Sequence, residues 1–251
     1  MKTLNHRQAR RLRALNVIGI LLLSLAAPVV GQKPNRPAST KAVHQSKKAT
    51  DLLELAMAKS DQRIPKALLT QAVAVAVFTD VKKFGLLIEG AGTGRGVVSR
   101  RFPNGRWSAP AYIHMGAISI GLQLNASSFN VIMLFMNDNA ADWLLAKKGV
   151  FFDRDKAPVA GPVGEIRTDQ KEVVPVANVF SYVFDDNRLQ GKDLKNVFKN
   201  FGISYDNDLN KATYGVNAAD ILSDVDGSKV PHVPVEVIVF SETVARYFPR
   251  E

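Results

Sequence analysis

Cysteine is absent from this chain of 251 residues, and its absence excludes several kinds of stabilisation and chemistry. Without cysteine the chain forms no disulfide and no thiolate metal site. The lipid anchor of bacterial lipoproteins is excluded for the same reason, because it is attached to a cysteine. The fold must therefore be held together by its hydrophobic core, for which about 200 residues are ample.

Histidine is also scarce, with four in the chain and two of them after position 50. A transition-metal site therefore has too few ligands to build on. The segment 206–210 opens like a calcium loop, but Lys211 stands where that loop requires Gly and Asn217 where it requires Glu. We expect Asp206 to cap a helix instead, and we expect no metal or other cofactor.

The glycine-rich segment lacks the spacing of a nucleotide-binding loop. A dinucleotide fingerprint needs glycines at positions n, n+2 and n+5, followed by a helix. Counted from Gly90 and Gly92, the last of these positions holds Arg95 and Val97, and a hairpin signal follows. The sequence Gly-Lys-Ser/Thr is absent as well. The glycines therefore indicate packing within a sheet.

The segment 117–121 resembles the nucleophile elbow of serine hydrolases, with Ser119 at its centre. The elbow requires a sharp turn from strand to helix. Here apolar residues alternate with small ones straight through the segment, which is typical of a continuing strand. After position 50 only His114 and His232 could act as a base. We therefore predict that the chain is not an enzyme.

Acidic residues are absent from the first 50 positions, and this explains the formal net charge of +10. Ten of the 33 Lys and Arg residues lie there, which leaves 23 of them against 23 Asp and Glu in the rest of the chain. The body of the protein is therefore neutral. Nucleic-acid binding loses its main support, because it depends on an excess of cations in the folded domain.

The first 31 residues have the three parts of a secretory signal peptide: a basic start, the apolar run Ala14–Ala27, and small residues before Gln32. An uncleaved N-terminal anchor is the alternative, since the apolar run is near the lower length limit for a membrane span. We expect export to the periplasm or the exterior, with peripheral membrane association. Residues 32–45 are basic and contain two prolines, which predicts a flexible linker.

Glycine is concentrated in one short segment after this leader. The glycines occupy every second position there and comprise Gly90, Gly92, Gly94 and Gly96. Alternate residues of a strand point to the same face, so these four leave one face bare of side chains. Because interior glycine weakens a strand, we expect another part of the protein to approach this face closely. Asn104-Gly105 then predicts a tight hairpin turn.

Hydrophobic periodicity predicts a single α+β domain over 46–251, with a mostly antiparallel, barrel-like sheet and helices at both ends. The predicted strands are 73–78, 84–90, 94–102, 106–113, 116–124, 130–136 and 173–184. The predicted helices are 44–62, 66–72, 137–148, 206–212, 218–222 and 234–248.

Eight short segments form an ordered set along the chain. They are IPKALL (64–69), AVAVF (74–78), VKKFG (81–85), the glycine run through GVVSRR (96–101), NGRWSAPA (104–111), GAISIGLQ (116–123), AGPVG (160–164) and ATYG (212–215). This order resembles the SYLF domain family, which is also described as a lipid-binding or actin-binding domain and has many exported bacterial members. The resemblance implies lipid binding without catalysis. Its actin association is not carried over, because an exported bacterial protein would not meet actin.

Cations cluster in sequence around the predicted turns of the glycine-rich hairpins. The candidate lipid-binding residues are Lys82, Lys83, Arg95, Arg100, Arg101 and Arg106. Arg can bind a lipid phosphate through paired donors and Lys as a point charge. We expect these side chains to be exposed, because turn residues usually are. The alternative is a solvated turn region without a function.

A second group of cations, Lys41, Lys47 and Lys48, precedes the domain and could form an arm that rests on a membrane surface. The apolar stripe of the adjacent helix could lie in the membrane interface or pack on the sheet. Trp107 could likewise lie in the membrane interface or belong to the core. We predict an anionic phospholipid membrane of the bacterial envelope as the partner. The alternative is a structural or protein-interaction module of the envelope that uses the bare glycine face.

Overall fold

The structure is a computed structural model, and it describes residues 39–59, 61–86, 89–120, 128–153, 155–164, 177–198 and 200–250. Within those ranges the side chains of 83–92 and 118–120 are not described. The predicted signal peptide and the linker up to residue 38 lie outside the described residues. The described residues belong to one compact unit, Asn35–Glu251.

A curled sheet of nine strands forms the centre of the described part of the chain. The strands are β1 (Ala74–Leu86), β2 (Glu89–Arg100), β3 (Ala111–Ile120), β4 (Ser128–Phe135), β5 (Val150–Phe152), β6 (Val159–Ala160), β7 (Val179–Asp185), β8 (Arg188–Gly191) and β9 (Asn200–Tyr205). Their order is β5-β9-β3-β2-β1-β4-β7-β6, with β8 paired to β7. Only the β6–β7 pair is parallel among these described strands. The predicted α+β class and antiparallel character are confirmed.

Several predicted strand boundaries are wrong because a β-bulge interrupts β1 without ending it. The register with both neighbouring strands shifts between Phe78 and Lys82, and Asp80 adopts φ 55°. The bulge breaks the alternation of side chains, so the sequence pattern ends the first strand at Phe78 although β1 continues to Leu86. The strand predicted as 84–90 is also wrong, because 84–86 end β1 and 89–90 begin β2, which continues to Arg100.

The helices follow the predictions more closely. They are α1 (Thr40–Met57), α2 (Lys66–Gln71), α3 (Asp138–Asp142), α4 (Asn207–Tyr214), α5 (Ala218–Leu222) and α6 (Val235–Tyr247), with a 3-10 turn at Trp143–Leu145. Side-chain caps begin three of them: Ser39 accepts a hydrogen bond from the amide of Ala42, Asn137 from Ala140, and Asp206 from Leu209. Because α1 begins at Thr40, residues 40–45 belong to a helix rather than to the predicted linker.

Apolar side chains form a core on each face of the sheet. On one face Phe78 and Met133 pack with α3 and α5, and on the other Val77 and Ile132 pack with α1, α2 and α6. The strand β4 contributes to both cores, because its residues 131–135 are buried and alternate between the two faces of the sheet. The apolar stripe of α1, including the buried Leu53, packs against the sheet and α6 rather than facing outward.

The glycines of β2 lie against the bulge of β1. A Cβ added at Gly96 would meet the ring of Phe78 at 2.5 Å, and one added at Gly94 would meet Val81 at 2.7 Å. The predicted close approach is confirmed at these two positions. Gly90 and Gly92 belong to β2 by backbone register, but what lies above them is outside the described residues.

The connection from β2 to β3 contains the predicted Asn104-Gly105 turn. Gly105 adopts φ 84°, and its amide donates to the carbonyl of Phe102. The continuous strands stop before this turn, since β2 ends at Arg100 and β3 begins at Ala111. The pairing nevertheless continues to the turn, because Arg101 and Trp107 form an antiparallel bridge and the amide of Phe102 donates to the carbonyl of Arg106. Within the described ranges, no helix combines the length and the apolar character needed to cross a bilayer.

Candidate functional site

The structure separates the six predicted lipid-binding cations into two groups at opposite ends of the β1–β2 pair. The register pairs Ala74 with Arg100 at one end and Lys82 with Thr93 toward the other. Arg101 and Arg106 follow the Arg100 end. Arg95 lies at the middle of the pair, and Lys82 and Lys83 lie from there toward the end that carries the β1–β2 connection. A single cluster of these cations is therefore not formed.

Arg101 is part of the core, and the prediction that it is exposed is wrong. Its side chain is 8% exposed, and the guanidinium donates to the main-chain carbonyl oxygens of Thr70 at 2.7 Å and Phe248 at 2.6 Å. It also lies 4.8 Å from the centre of the Trp107 ring. Burial, with the nearby charge of Arg250, lowers the pKa of Arg101. Arg101 therefore joins β2 to the ends of α2 and α6.

The neighbours of Arg101 are also engaged within the protein. Arg100 donates to the Asp142 carboxylate at 2.8 Å, and its side chain is 14% exposed. Arg106 donates to the main-chain carbonyl oxygen of Val225 at 2.8 Å. Trp107 is buried and meets Phe248 edge to face, so it belongs to the core rather than to a membrane interface. These residues have structural partners that explain their positions.

Lys82 and Arg95, in contrast, are exposed and share one face of the sheet. Directly paired residues of an antiparallel ladder point to the same face, and Lys82 pairs with Thr93, two residues before Arg95. Diagonal neighbours of this kind lie about 7–8 Å apart. In the described part of the chain neither cation has an ion-pair or hydrogen-bond partner for its side chain. The side chain of Lys83 lies outside the described residues.

A network of three polar side chains borders this face. Asp206 receives a hydrogen bond from Lys41 at 3.0 Å, and His114, which pairs with Arg95 in the ladder, lies 3.2 Å from the same carboxylate oxygen. Burial alone would raise the pKa of Asp206, but Lys41, the Leu209 amide and His114 together hold it below its ordinary value. The carboxylate is thus ionised and compensated from within the protein.

The predicted membrane-surface arm is part of this folded structure. Lys41 pairs with Asp206, Lys47 with Asp51, and Lys48 with Asp80 at 2.7 Å. All three lysines lie on α1, whose other face is buried. Lys41 is therefore not part of a flexible linker, because α1 fixes all three lysines beside carboxylates. Lys47 and Lys48 nevertheless keep exposed side chains.

The face that carries Lys82 and Arg95 extends across the sheet beyond the helices. One cross-strand row runs from Lys82 through Thr93 and Gly116 to Gly202, and all of its side chains point to the same side. Gly116 is exposed, and a Cβ added there would meet nothing within 4 Å. No sequence motif marks this row, because it exists only once β3 pairs with the distant strand β9.

The residues considered for catalysis have structural explanations of other kinds. Ser119 pairs with Gly90 within β3, so the chain continues as a strand where a nucleophile elbow would turn. Asp206 caps α4, as predicted, and Asp224 accepts from the amides of Lys229 and Val230 in a turn. Among the described residues, no group of three or more His, Asp or Glu side chains is placed to hold a metal ion.

Comparison with known proteins gives related sequences of low identity. The chain is 25% identical over 153 residues to the SH3 domain-containing YSC84-like protein 1 of Bos taurus and 24% identical to that of Homo sapiens. It is 31% identical over 102 residues to the SH3 domain-containing protein PJ696.02 of Schizosaccharomyces pombe. The matches cover 59% and 40% of this chain, respectively, and 44% and 23% of those relatives.

The chain therefore spans less than half of the curated relatives that it matches. No solved structure matches it. The profile of the Ysc84 family, described as Las17-binding protein actin regulator, matches residues 116–247, just over half of the chain. This match includes the end of β3, the strands from β4 to β9 and the C-terminal helices, and it contains the last three of the eight motifs. The chain belongs to the Ysc84, or SYLF, domain family.

Proposed function

We propose that this protein binds the head groups of anionic phospholipids at a bacterial envelope membrane and catalyses no reaction. The observation that carries the proposal is the exposed pair Lys82 and Arg95 on one face of the sheet. Membership in a family of binding modules supports a binding role in general. The head-group chemistry is inferred from the side chains themselves.

The chemistry of the pair suits a phosphate ligand. Arg95 offers paired N–H donors to phosphate oxygens, and Lys82 adds a point charge within reach of the same group. Thr93, exposed and opposite Lys82, adds a hydroxyl on the same face. Each cation near an anionic bilayer contributes about 1 kcal/mol to binding. Binding should therefore depend on lipid charge and weaken with salt.

The location of the protein is part of the proposal and rests on the N-terminal sequence. A basic start, an apolar run and small residues before Gln32 support export. Expression in a bacterium with the native leader, followed by mass spectrometry of the periplasmic fraction, tests this part. A mature chain that begins at Gln32 is expected. Retention of the full-length chain in the cytoplasm would contradict export.

The alternative role, a protein-interaction module that uses the bare glycine face, has weaker support. Val81 and Phe78 already occupy the space next to Gly94 and Gly96. A partner strand would have to displace these side chains from the core. Protein binding through this face would become the better proposal only if the vesicle test described next gives no binding to anionic lipid.

Vesicle flotation of the variant Lys82→Glu/Arg95→Glu tests the lipid proposal. With vesicles of phosphatidylglycerol and phosphatidylcholine, we expect at least a tenfold loss of binding, since two contacts are reversed. Wild-type protein should not float with phosphatidylcholine alone. Lys66→Glu/Lys192→Glu is a matched control, because it reverses the same number of charges at exposed positions away from this face.

The control variant should bind like the wild type, apart from a small loss due to net charge. Equal losses in the two variants would contradict a site at Lys82 and Arg95. If wild-type protein does not float with anionic vesicles at all, the lipid proposal itself fails and the protein-interaction role becomes the better one.

A further inference from the structure

The open face of the sheet continues beyond the glycines to an exposed aromatic residue. Gly202 pairs with Phe151 of the edge strand β5, so the row that begins at Lys82 ends at Phe151. Five strands contribute to this row. With about 4.8 Å between strands, its ends lie about 19 Å apart. The face is therefore much wider than a single extended peptide.

Phe151 is exposed although its neighbours on β5 are buried. Its side chain is 56% exposed, whereas Val150 and Phe152 contribute to the core on the other face. It is the only aromatic residue among the large exposed hydrophobic side chains of the described ranges. One edge of its ring lies over Gly202, 3.6 Å from the position of an added Cβ. The ring thus lies beside the exposed main chain of Gly202.

The surroundings of Phe151 are shallow and basic. A groove of about 480 Å³ runs beside it, floored by Gly116 and Gly202 and bordered by the exposed Lys148. Because the glycines have no side chains, a flat partner could approach the main chain closely. This face therefore presents an aromatic residue and a cation at one end and the Lys82 and Arg95 pair at the other.

Among the described side chains, two carboxylates that border this face are compensated by cations of the protein. Asp80 lies in the β1 bulge beside the face and pairs with Lys48, and Asp206 at its border pairs with Lys41 and His114. The exposed residues of the row itself carry no carboxylate from Lys82 to Phe151. The face is complementary to a negatively charged surface.

We propose that this whole face lies flat on an anionic bilayer, with the Phe151 ring inserted into the interface as an apolar anchor. The inference rests on the proposed lipid binding and extends it from two head-group contacts to an oriented docking surface. Interfacial proteins combine cations with apolar residues in this way, and their affinity increases with the apolar area that they bury. The width of the face favours a bilayer over a single acidic peptide strand.

The absence of native cysteine allows a direct test with one fluorescent label. Phe151→Cys carries an environment-sensitive nitrobenzoxadiazole probe, and Val225→Cys carries the same probe as a control. Val225 is also an exposed hydrophobic residue, but it lies beside Arg106 at the opposite end of the β1–β2 pair. On phosphatidylglycerol vesicles we expect a blue shift, a severalfold rise in emission and quenching by spin-labelled lipid for position 151 only.

The outcomes separate this inference from the proposal on which it rests. If the labelled proteins float with the vesicles but the probe at 151 keeps its aqueous spectrum, the docking face is wrong and head-group binding stands. Equal insertion of both probes would also overturn the orientation. If neither protein floats, both proposals fail.

An unlabelled variant provides a second readout. Phe151→Ser removes the anchor while leaving every charge in place, and we expect binding to anionic vesicles to weaken about fivefold or more. The loss should persist in high salt, since it arises from apolar contact. Wild-type affinity of a folded Phe151→Ser protein would contradict the anchor.

Discussion

Arg101 and Arg95 are six positions apart in the chain, but one is buried and the other is exposed. Arg101 is buried and donates to main-chain carbonyl oxygens from two helical segments. Arg95 is exposed on an open sheet face without such acceptors. The first guanidinium is needed to complete the fold. The second is available to a ligand.

The comparison teaches that position along the strand pair decides the role of a cation here. Near Arg100 the helices α2, α3 and α6 border the sheet, so Arg100 and Arg101 find partners within the protein. Beyond Gly96, toward the β1–β2 connection, Lys82 and Arg95 are exposed to solvent. Residue type alone does not distinguish these two environments.

The largest effect on stability should come from replacing Arg101, the buried arginine of the two. Arg101→Ala leaves the carbonyls of Thr70 and Phe248 without their donor and opens space beside Trp107. We expect a loss of about 3–5 kcal/mol in the free energy of unfolding. Arg95→Ala should change it by about 0.5 kcal/mol or less, as surface substitutions usually do.

Urea denaturation of both proteins measures this difference. Arg101→Lys sharpens it, because lysine keeps the charge but cannot direct separate N–H groups at several carbonyls, and we expect it to recover only part of the loss. Equal midpoints for Arg101→Ala and Arg95→Ala would show that the buried network is dispensable.

The glycines provide a second comparison between the covered and open regions. A Cβ at Gly96 would be 2.8 Å from the carbonyl oxygen of Val77 and closer still to Phe78, whereas one at Gly116 would meet nothing within 4 Å. Gly96→Val should therefore lower the free energy of unfolding by about 1–3 kcal/mol through overpacking. Gly116→Val should cost less than about 0.5 kcal/mol. The reverse order of thermal midpoints would contradict this packing.

A smaller effect on stability is expected at Asp206, which borders the open face of the sheet. Asp206→Asn can still cap α4, but it loses the ion pair with Lys41, so we expect a loss of about 1 kcal/mol at pH 7. The depressed pKa of Asp206 stabilises the folded state above the pKa in the unfolded chain, about 4. As the pH falls through the folded pKa, this contribution disappears.

Unfolding measured from pH 7 down to pH 3 should therefore show the difference between wild type and Asp206→Asn shrinking in acid. A difference that stays constant over this range would mean that the charge of Asp206 does not contribute.

Local signals predicted most of the helices. The Asp206 and Asn137 caps, and the helices that follow them, depend on hydrogen bonds within a few residues, so they can be read directly from neighbouring residue types. The C-terminal helix likewise follows from Pro234 and the spacing of its apolar residues. The α3 segment is shorter than predicted because it continues as a 3-10 turn at Trp143–Leu145.

Features that depend on distant pairing could not be predicted in this way. The bulge after Phe78 is defined by partners on two other strands, and the sequence pattern therefore ends the strand there too early. Arg101 follows a strand and precedes a turn signal, which predicts exposure, but its guanidinium is buried against Phe248 at the end of α6. Phe151 had no periodic signal at all, because β5 is three residues long.

The most direct test of the account removes the same number of charges from each region. Lys82→Gln/Arg95→Gln and Arg100→Gln/Arg106→Gln each eliminate two cations, and quantitative flotation of the folded proteins with phosphatidylglycerol vesicles compares them. We expect the first variant to bind about tenfold more weakly than the wild type and the second to bind within about twofold of it. Equal losses would mean that net charge alone attracts the protein to the membrane. A larger loss for Arg100→Gln/Arg106→Gln would contradict the account, because the lipid site would then lie near Arg100 and Arg106.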